Sequence, residues 1–136
     1  MIRIRYQIDI GISSNYSEER DIGRGHIEVI NDNQNDGGAW KMTLTSGATN
    51  VLAQTGNLSA INMIIIRTSV SDPTQMAGNV LVQLNSLSGP QVTIQPMATY
   101  NPKEGMFAIT TNGASAIYLS NPSAVSMDCT IYAAGD

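Results

Sequence analysis

Apolar and polar residues alternate along much of this chain. The first twelve residues show it most clearly, because every second position from residue 2 is apolar: Ile2, Ile4, Tyr6, Ile8, Ile10 and Ile12. Since successive side chains of a strand point to opposite faces, this period predicts a long strand with one apolar face and one polar face. The apolar face could pair within its own sheet or reach a neighbouring subunit. Residues 1–12 are therefore also a candidate intersubunit arm.

The most apolar stretch of the chain is Ile61–Val70, with the sequence INMIIIRTSV. Its β-branched side chains fit a pleated sheet better than a helix. It is too short to span a bilayer, which takes about 20 apolar residues. Asp72-Pro73 ends it, because the residue before proline is pushed out of helical geometry and proline has no N–H to donate. The stretch is predicted to be a strand with both faces largely covered, at the centre of a β-sandwich.

Shorter alternating or apolar segments recur at spacings of about 8 to 12 residues, as in sandwiches and barrels. They predict strands at residues 26–30, 40–45, 80–85, 91–95, 106–111, 116–120 and 125–131. Pro96 favours an edge position for the strand at 91–95. Residues 13–25 are predicted to form a loop, residues 31–38 a turn cluster, and Asn112-Gly113 a hairpin.

The fold class predicted is all-β: a single-domain, two-sheet antiparallel sandwich of the jelly-roll type over residues 1–136, with a barrel as the alternative. Charged residues make up 13% of the chain, about half the usual ~25%. Between Met42 and Pro102 they are only Arg67 and Asp72. Because charges are depleted at interface cores, this half has the composition of a surface that meets other protein copies. The alternative is that low charge merely accompanies a β-protein rich in Ser, Thr and Asn.

Net charge and cysteine content exclude several classes of function. A formal net charge of −4 argues against nucleic acid as a partner, because binding to phosphates needs clustered Lys and Arg. The single cysteine, Cys129, rules out an internal disulfide and is expected to be a buried, inert thiol. The start of the chain lacks the continuous apolar core of a signal peptide, and no stretch is long enough to span a membrane. We expect folding in a cytoplasm and no membrane partner.

Catalytic motifs are missing from the sequence, so no enzyme activity, catalytic residue, cofactor or metal ligand is predicted. His26 is the only histidine, which excludes sites that need two imidazoles, and no Gly-x-Ser-x-Gly elbow accompanies it. The run at residues 31–37 invites comparison with a calcium loop, since hard cations prefer oxygen ligands. Counted from Asp32 it misses the EF-hand spacing, with Gln34 third and Thr43 twelfth. An exposed turn is the favoured interpretation, and a looser calcium loop is the alternative.

A carbohydrate-binding face would need exposed aromatic side chains, and the chain has five Tyr, one Trp and one Phe. Trp40 and Phe107 occupy apolar positions of predicted strands and are expected in the core. Tyr16 and Tyr100 fall in predicted loops, which makes them the candidates for contact with a ligand.

Two stretches resemble a known class of viral protein. Residues 56–73, GNLSAINMIIIRTSVSDP, and residues 116–135, AIYLSNPSAVSMDCTIYAAG, look like small structural proteins of tailed-phage virions. They are similar in particular to jelly-roll capsid decoration, or cement, proteins. The resemblance covers about residues 56–135 and does not include residues 1–45. It implies an eight-stranded jelly roll that assembles as a homo-dimer or homo-trimer.

For function, the resemblance implies a virion protein that binds the outer surface of a phage capsid and staples neighbouring subunits. Its partner would be the major capsid protein or another virion protein, and the host cytoplasm would be where it is made. The N-terminal strand is a candidate arm of the kind such proteins use at interfaces, with these contact residues: Ile2, Ile4, Tyr6, Ile8 and Ile10. The alternatives are a tail, neck or baseplate component of a phage and a carbohydrate-binding β-sandwich module.

Overall fold

The computed structural model describes the backbone of residues 2–15, 18–34, 36–96 and 103–136, and the side chains of Gln7 and of the described residues from Gly37 onward. All the regular secondary structure in these ranges is β-strand, so the all-β class is confirmed. The chain divides into two compact units, Met1–Gln34 and Asn35–Asp136. That the whole chain behaves as one domain stays a prediction.

The first unit is a two-stranded antiparallel ribbon of β1 (Ile2–Asn15) and β2 (Glu18–Gln34). The long N-terminal strand is present and extends beyond the predicted residue 12. The loop predicted for residues 13–25 is wrong, because β2 pairs with β1 through most of that segment, with Gly25 opposite Ile10. The partner strand supplies backbone hydrogen bonds that outweigh the weak strand propensity of these Gly, Glu and Asp residues.

The register of the ribbon keeps the alternation of its two strands largely in phase. Ile8 lies opposite Ile27, whereas Gln7, which is exposed, lies opposite Glu28. The ribbon therefore has one row of positions that is apolar along β1 and includes Ile27 and Val29 of β2, and one row that is predominantly polar.

The second unit contains eight strands in two four-stranded antiparallel sheets. One sheet has the order β3-β10-β5-β8 and the other β4-β9-β6-β7. The strands are β3 (Asp36–Leu44), β4 (Val51–Leu52), β5 (Ile61–Val70), β6 (Val80–Leu84), β7 (Gln91–Ile94), β8 (Glu104–Ala114), β9 (Ile117–Ser120) and β10 (Met127–Gly135). β7 lies at a sheet edge, as Pro96 predicted. The first sheet includes charged residues and the second includes none, and we call them the charged sheet and the uncharged sheet.

Strand pairing in the second unit is nested. β3 pairs with β10, β4 with β9, β5 with β8 and β6 with β7, as if one long antiparallel hairpin were wound on itself. Two further pairs, β10 with β5 and β9 with β6, join the windings into sheets. The two-sheet antiparallel sandwich predicted from the sequence is confirmed.

The hydrophobic core is shared by both sheets. Ile64 and Ile66 of β5 are fully buried and belong to one cluster with Val82 of the uncharged sheet. A fully buried side chain of this size contributes about 1.5–3 kcal/mol. The other face of β5 is more open than predicted, since Ile65 is half-buried and Arg67 is exposed.

The hairpin predicted at Asn112-Gly113 is wrong. Both residues lie inside β8, and the strands that the hairpin would have joined, β8 and β9, belong to different sheets. Gly113 has a φ of 74° at an irregularity in the pairing of β8 with β5, and its N–H donates to Oδ1 of Asn62 at 3.0 Å. Glycine here permits a bulge rather than a turn.

The turn cluster predicted for residues 31–38 is also wrong where the structure describes it. Residues 31–34 belong to β2 and residues 36–38 to β3. A Cβ on Gly37 would lie 2.9 Å from the carbonyl oxygen of Ala133 in the neighbouring strand. Close approach of two backbones, and not turn geometry, accounts for this glycine.

A buried asparagine fixes the loop between β9 and β10. Asn121 is fully buried, and its Nδ2 lies 3.0 Å from the Leu44 carbonyl oxygen, 3.1 Å from that of Thr45 and 2.8 Å from that of Val125. Its Oδ1 accepts hydrogen bonds from the backbone N–H and the hydroxyl of Ser123. This side chain therefore ties the end of β3 to the chain that enters β10.

Candidate functional site

Charge is distributed unevenly over the second unit. Its charged residues lie in the charged sheet, next to an end of one of its strands, or in the β5–β6 loop: Asp36, Lys41, Arg67, Asp72, Lys103, Glu104, Asp128 and Asp136. The uncharged sheet carries none. The sandwich therefore has one outer face with charges and one without.

The outer face of the charged sheet carries charged and hydroxyl side chains beside apolar ones, since Met106 is 55% exposed on it and Met63 is fully buried on it. Arg67 lies 3.7 Å from Glu104, with side chains that are 58% and 44% exposed. Asp128 Oδ1 accepts hydrogen bonds from the hydroxyls of Thr43 at 2.7 Å and Ser71 at 2.8 Å. A shallow depression of about 460 Å³ lies between β3, β10 and β5 on this face. Pairs this exposed contribute little to stability.

The outer face of the uncharged sheet is neutral and partly apolar. Alternation along its strands, together with the register, places these side chains on it: Leu52, Leu81, Gln91, Thr93 and Tyr118. Leu52 is 45% exposed, and Tyr118 and Leu81 are half-buried. A surface of this kind has no charge to desolvate when another protein covers it.

The β6–β7 loop is held against the same face. Gln83 is nearly buried, and its Nε2 donates to the carbonyl oxygens of Leu87 and Gly89, both at 2.9 Å. Leu87 is left 50% exposed. One glutamine thus adds an exposed leucine to the neutral surface in a fixed position.

A groove of about 320 Å³ runs beside β3 and β4, which are edge strands of their sheets. Its lining includes Trp40, Met42, Leu52, Gln54 and Ile131. Trp40 and Phe107 were both predicted in the core, and both pack against it as partly buried side chains. The described residues supply no hydrogen-bond acceptor for the Trp40 indole N–H or the Gln54 amide. The groove therefore offers an indole and a free amide to a ligand.

The residues predicted for the intersubunit contact are brought into one strand. These five alternate positions all lie in β1: Ile2, Ile4, Tyr6, Ile8 and Ile10. β1 pairs with β2 of the same chain along one of its edges. Contact between these side chains and another subunit stays a prediction. Tyr16 and Tyr100, the candidates for ligand contact, lie outside the described residues.

The reactive groups of the described residues form no catalytic cluster that we can identify. Cys129 is buried, as predicted. Burial, reinforced by the negative charge of Asp128, raises the pKa of its thiol to about 12, so the nucleophilic thiolate is scarce at neutral pH. Among the described residues, no group of three or more His, Cys, Asp or Glu side chains could hold a metal ion. In the same ranges no helix is long and apolar enough to cross a membrane.

No protein-family model, curated protein or solved structure matches this chain. Function is therefore argued from the geometry of its surfaces. Sequence reasoning missed Leu52, Gln83 and Leu87, although it identified the segment without charge in which they lie. Which strands of that segment share a sheet depends on long-range pairing, and a single sequence does not reveal it.

Proposed function

We propose that this chain is a structural protein of a tailed-phage virion, specifically a capsid decoration, or cement, protein that binds the outer surface of the capsid. The observation that carries the proposal is the ribbon of β1 and β2, which is a compact unit of its own. Strands of 14 and 17 residues extend about 45 Å or more. A two-stranded hairpin is marginally stable in water, so an apolar row on such a ribbon is stabilised when it lies on another protein surface.

The nested strand pairing supports the jelly-roll form of the sandwich. A jelly roll has eight strands in two sheets and consists of two Greek keys, and viral capsid proteins commonly use it. Because one fold serves many functions, this supports the class of protein rather than a specific role. The resemblance of residues 56–73 and 116–135 to phage decoration proteins points in the same direction.

In the proposed mechanism the protein joins neighbouring capsid subunits through the surface area that it buries on them, and it catalyses no reaction. The partner is the major capsid protein or another virion protein, and the chain acts as a homo-dimer or homo-trimer. Each copy then makes a weak contact, and the oligomer binds tightly because several contacts form together. The protein is made in the host cytoplasm and ends on the virion.

The test uses particles of the phage that encodes this chain. Mass spectrometry of purified particles should find the chain in a fixed ratio to the major capsid protein. Particles that lack it should rebind the purified protein until saturation. Ile8→Glu, in the apolar row of the ribbon, should weaken rebinding about tenfold because a charge must be desolvated. Gln7→Lys is the control, since it adds a charge at an exposed position opposite Glu28, and it should change little.

Absence of the chain from particles would overturn the proposal. Equal rebinding of Ile8→Glu and Gln7→Lys would remove the ribbon from the mechanism. Immunogold labelling separates the capsid from the tail, neck or baseplate, and labelling of the tail structures would move the protein to the alternative within the same class.

The groove beside β3 and β4 favours one second candidate, a carbohydrate-binding module. Aromatic rings with free amide donors beside them suit the apolar faces and hydroxyls of sugars. Binding on a glycan array that is lost in Gln54→Ala and retained in Gln91→Ala, an exposed glutamine of β7, would support this function. Loss of glycan binding in Tyr16→Ala or Tyr100→Ala would also support this function, with the two tyrosines predicted from the sequence as the contact residues. If the chain binds no glycan, the virion protein remains the one proposed function.

A further inference from the structure

We infer that the sandwich docks through the outer face of the uncharged sheet, and that the occupant of this face is a neutral protein surface repeated in many copies. The inference rests on the proposed function, in which the repeated surface is the capsid shell. It adds which of the two outer faces makes the contact.

Charge decides between the two outer faces. Covering the charged sheet would take Lys41, Arg67, Glu104 and Asp128 out of water, and each would need a matched partner on the other protein. Covering the uncharged sheet desolvates no charged side chain of its strands. A partner for this face therefore needs no complementary charges, and a charged partner surface would be penalised by the neutral side chains opposite it.

Backbone segments beside the uncharged face are also held by hydrogen bonds. Leu52 is 45% exposed and Leu87 is 50% exposed. The two hydrogen bonds from Gln83 hold the loop that carries Leu87, and Asn50 N–H donates to the hydroxyl of Ser120 at 2.8 Å beside β4. Exposed apolar side chains on a preorganised surface lose little conformational freedom when they are covered.

The small size of the face favours a repeated surface over a second copy of this chain as its occupant. Four strands spaced by about 4.8 Å, each of at most five residues, cover only about 300 Å². A stable pair of proteins usually buries about 800 Å² on each partner. A contact confined to these strands is therefore smaller than that of a stable dimer of two chains, whereas an oligomer that presents several such faces to a lattice gains the affinity that one lacks.

Two exposed threonines allow a matched test in the full-length chain. Thr93 lies on the outer face of β7, the edge strand of the uncharged sheet, and Thr110 lies on the outer face of β8, the edge strand of the charged sheet. Thr93→Glu and Thr110→Glu are each titrated against particles that lack the protein, with bound chain measured after sedimentation. Circular dichroism melts and native masses of both variants establish that fold and oligomeric state are kept.

Thr93→Glu should raise the half-saturating concentration about tenfold or more, because every copy in the oligomer acquires a desolvation penalty, and Thr110→Glu should stay within about twofold. If both variants bind like the wild type, or if Thr110→Glu alone loses binding, this face is not the docking surface, while the proposed function stands. A changed native mass for Thr93→Glu would make the face a contact between copies and would overturn the inference. Failure of the wild-type chain to bind particles would overturn the proposed function together with it.

Discussion

The two sheets of the sandwich contribute to one core and differ in what they present on the outside. Inner side chains of both, such as Ile64 and Val82, are equally buried and pack in the same cluster. On the outside, the charged sheet carries an ion pair between Arg67 and Glu104, and the uncharged sheet carries leucine, threonine, glutamine and tyrosine.

This difference shows that the low charge of the chain is a local property. Low charge that merely accompanies a β-protein rich in Ser, Thr and Asn does not require the few charges to lie on one outer face. Here the folded core imposes no such separation, because it constrains only the inward-facing positions of each strand. Separation of charge on the outward positions is therefore not required by the packing of the core.

The largest effect is expected from a substitution in the hydrophobic core that the two sheets share. Ile64→Asp places a carboxylate without a partner in the core, at a position that is 0% exposed, and should cost more than about 4 kcal/mol, enough to prevent folding. Ile65→Asp, one residue along on the outer face, should leave a folded chain with reduced stability. Circular dichroism and urea unfolding measure both. Equal loss of structure in the two variants would contradict the assignment of inner and outer faces in β5.

Asn121→Ala tests the polar side chain that ties β3 to β10. The substitution leaves the buried carbonyl oxygens of Leu44 and Val125 without the side-chain amide, and should cost about 3 kcal/mol in the free energy of unfolding. Asn112→Ala is the control, since Asn112 is exposed, and should change stability by less than about 0.5 kcal/mol. Similar values from urea titration of both variants would show that the Asn121 network is not structural.

High pH should weaken the inner face of the charged sheet through Cys129. Its pKa is raised from 9.0 to about 12 in the folded chain. Between these values the unfolded chain has lost the thiol proton and the folded chain retains it, so the folded state is favoured less as pH rises. The loss should reach about 3 kcal/mol by pH 11. Cys129→Ala should flatten this part of the pH profile, and an unchanged slope would refute the role of Cys129.

The smallest effect is expected on the outer face of the charged sheet. Arg67→Ala removes one member of a 3.7 Å ion pair whose side chains are about half exposed, and should change the free energy of unfolding by less than about 0.5 kcal/mol. In high salt, which screens exposed charges, wild type and variant should unfold alike. A loss of several kcal/mol would mean that these charges are structural, and the contrast between the two outer faces would lose its functional meaning.

Sequence reasoning worked where local pattern decides structure. The bounds of the strand Ile61–Val70 agree with the structure, as does the edge position of β7. It failed where glycine and asparagine serve purposes other than turns, as at Gly37 and Gly113. The intrinsic preference of such residues does not distinguish a turn from a bulge or a close backbone approach.

The functional surface was the least predictable part of the molecule. The segment between Met42 and Pro102 was recognised as nearly uncharged, but it supplies strands to both sheets. Only the pairing of β4, β6 and β7 with β9 assembles the neutral face. Pairing over such distances along the chain depends on the whole core, which no local window of sequence contains.

Footprinting with hydroxyl radicals tests the central claim most directly, because it labels exposed side chains on both outer faces in one experiment. The purified chain is labelled alone and when bound to particles that lacked it, and peptides are compared by mass spectrometry. We predict that labelling of Leu52 and Leu87 on the uncharged sheet falls severalfold on binding. Met106, which is 55% exposed on the outer face of the charged sheet, should be labelled as before. Protection of Met106 with unchanged labelling of Leu52 and Leu87 would contradict the account.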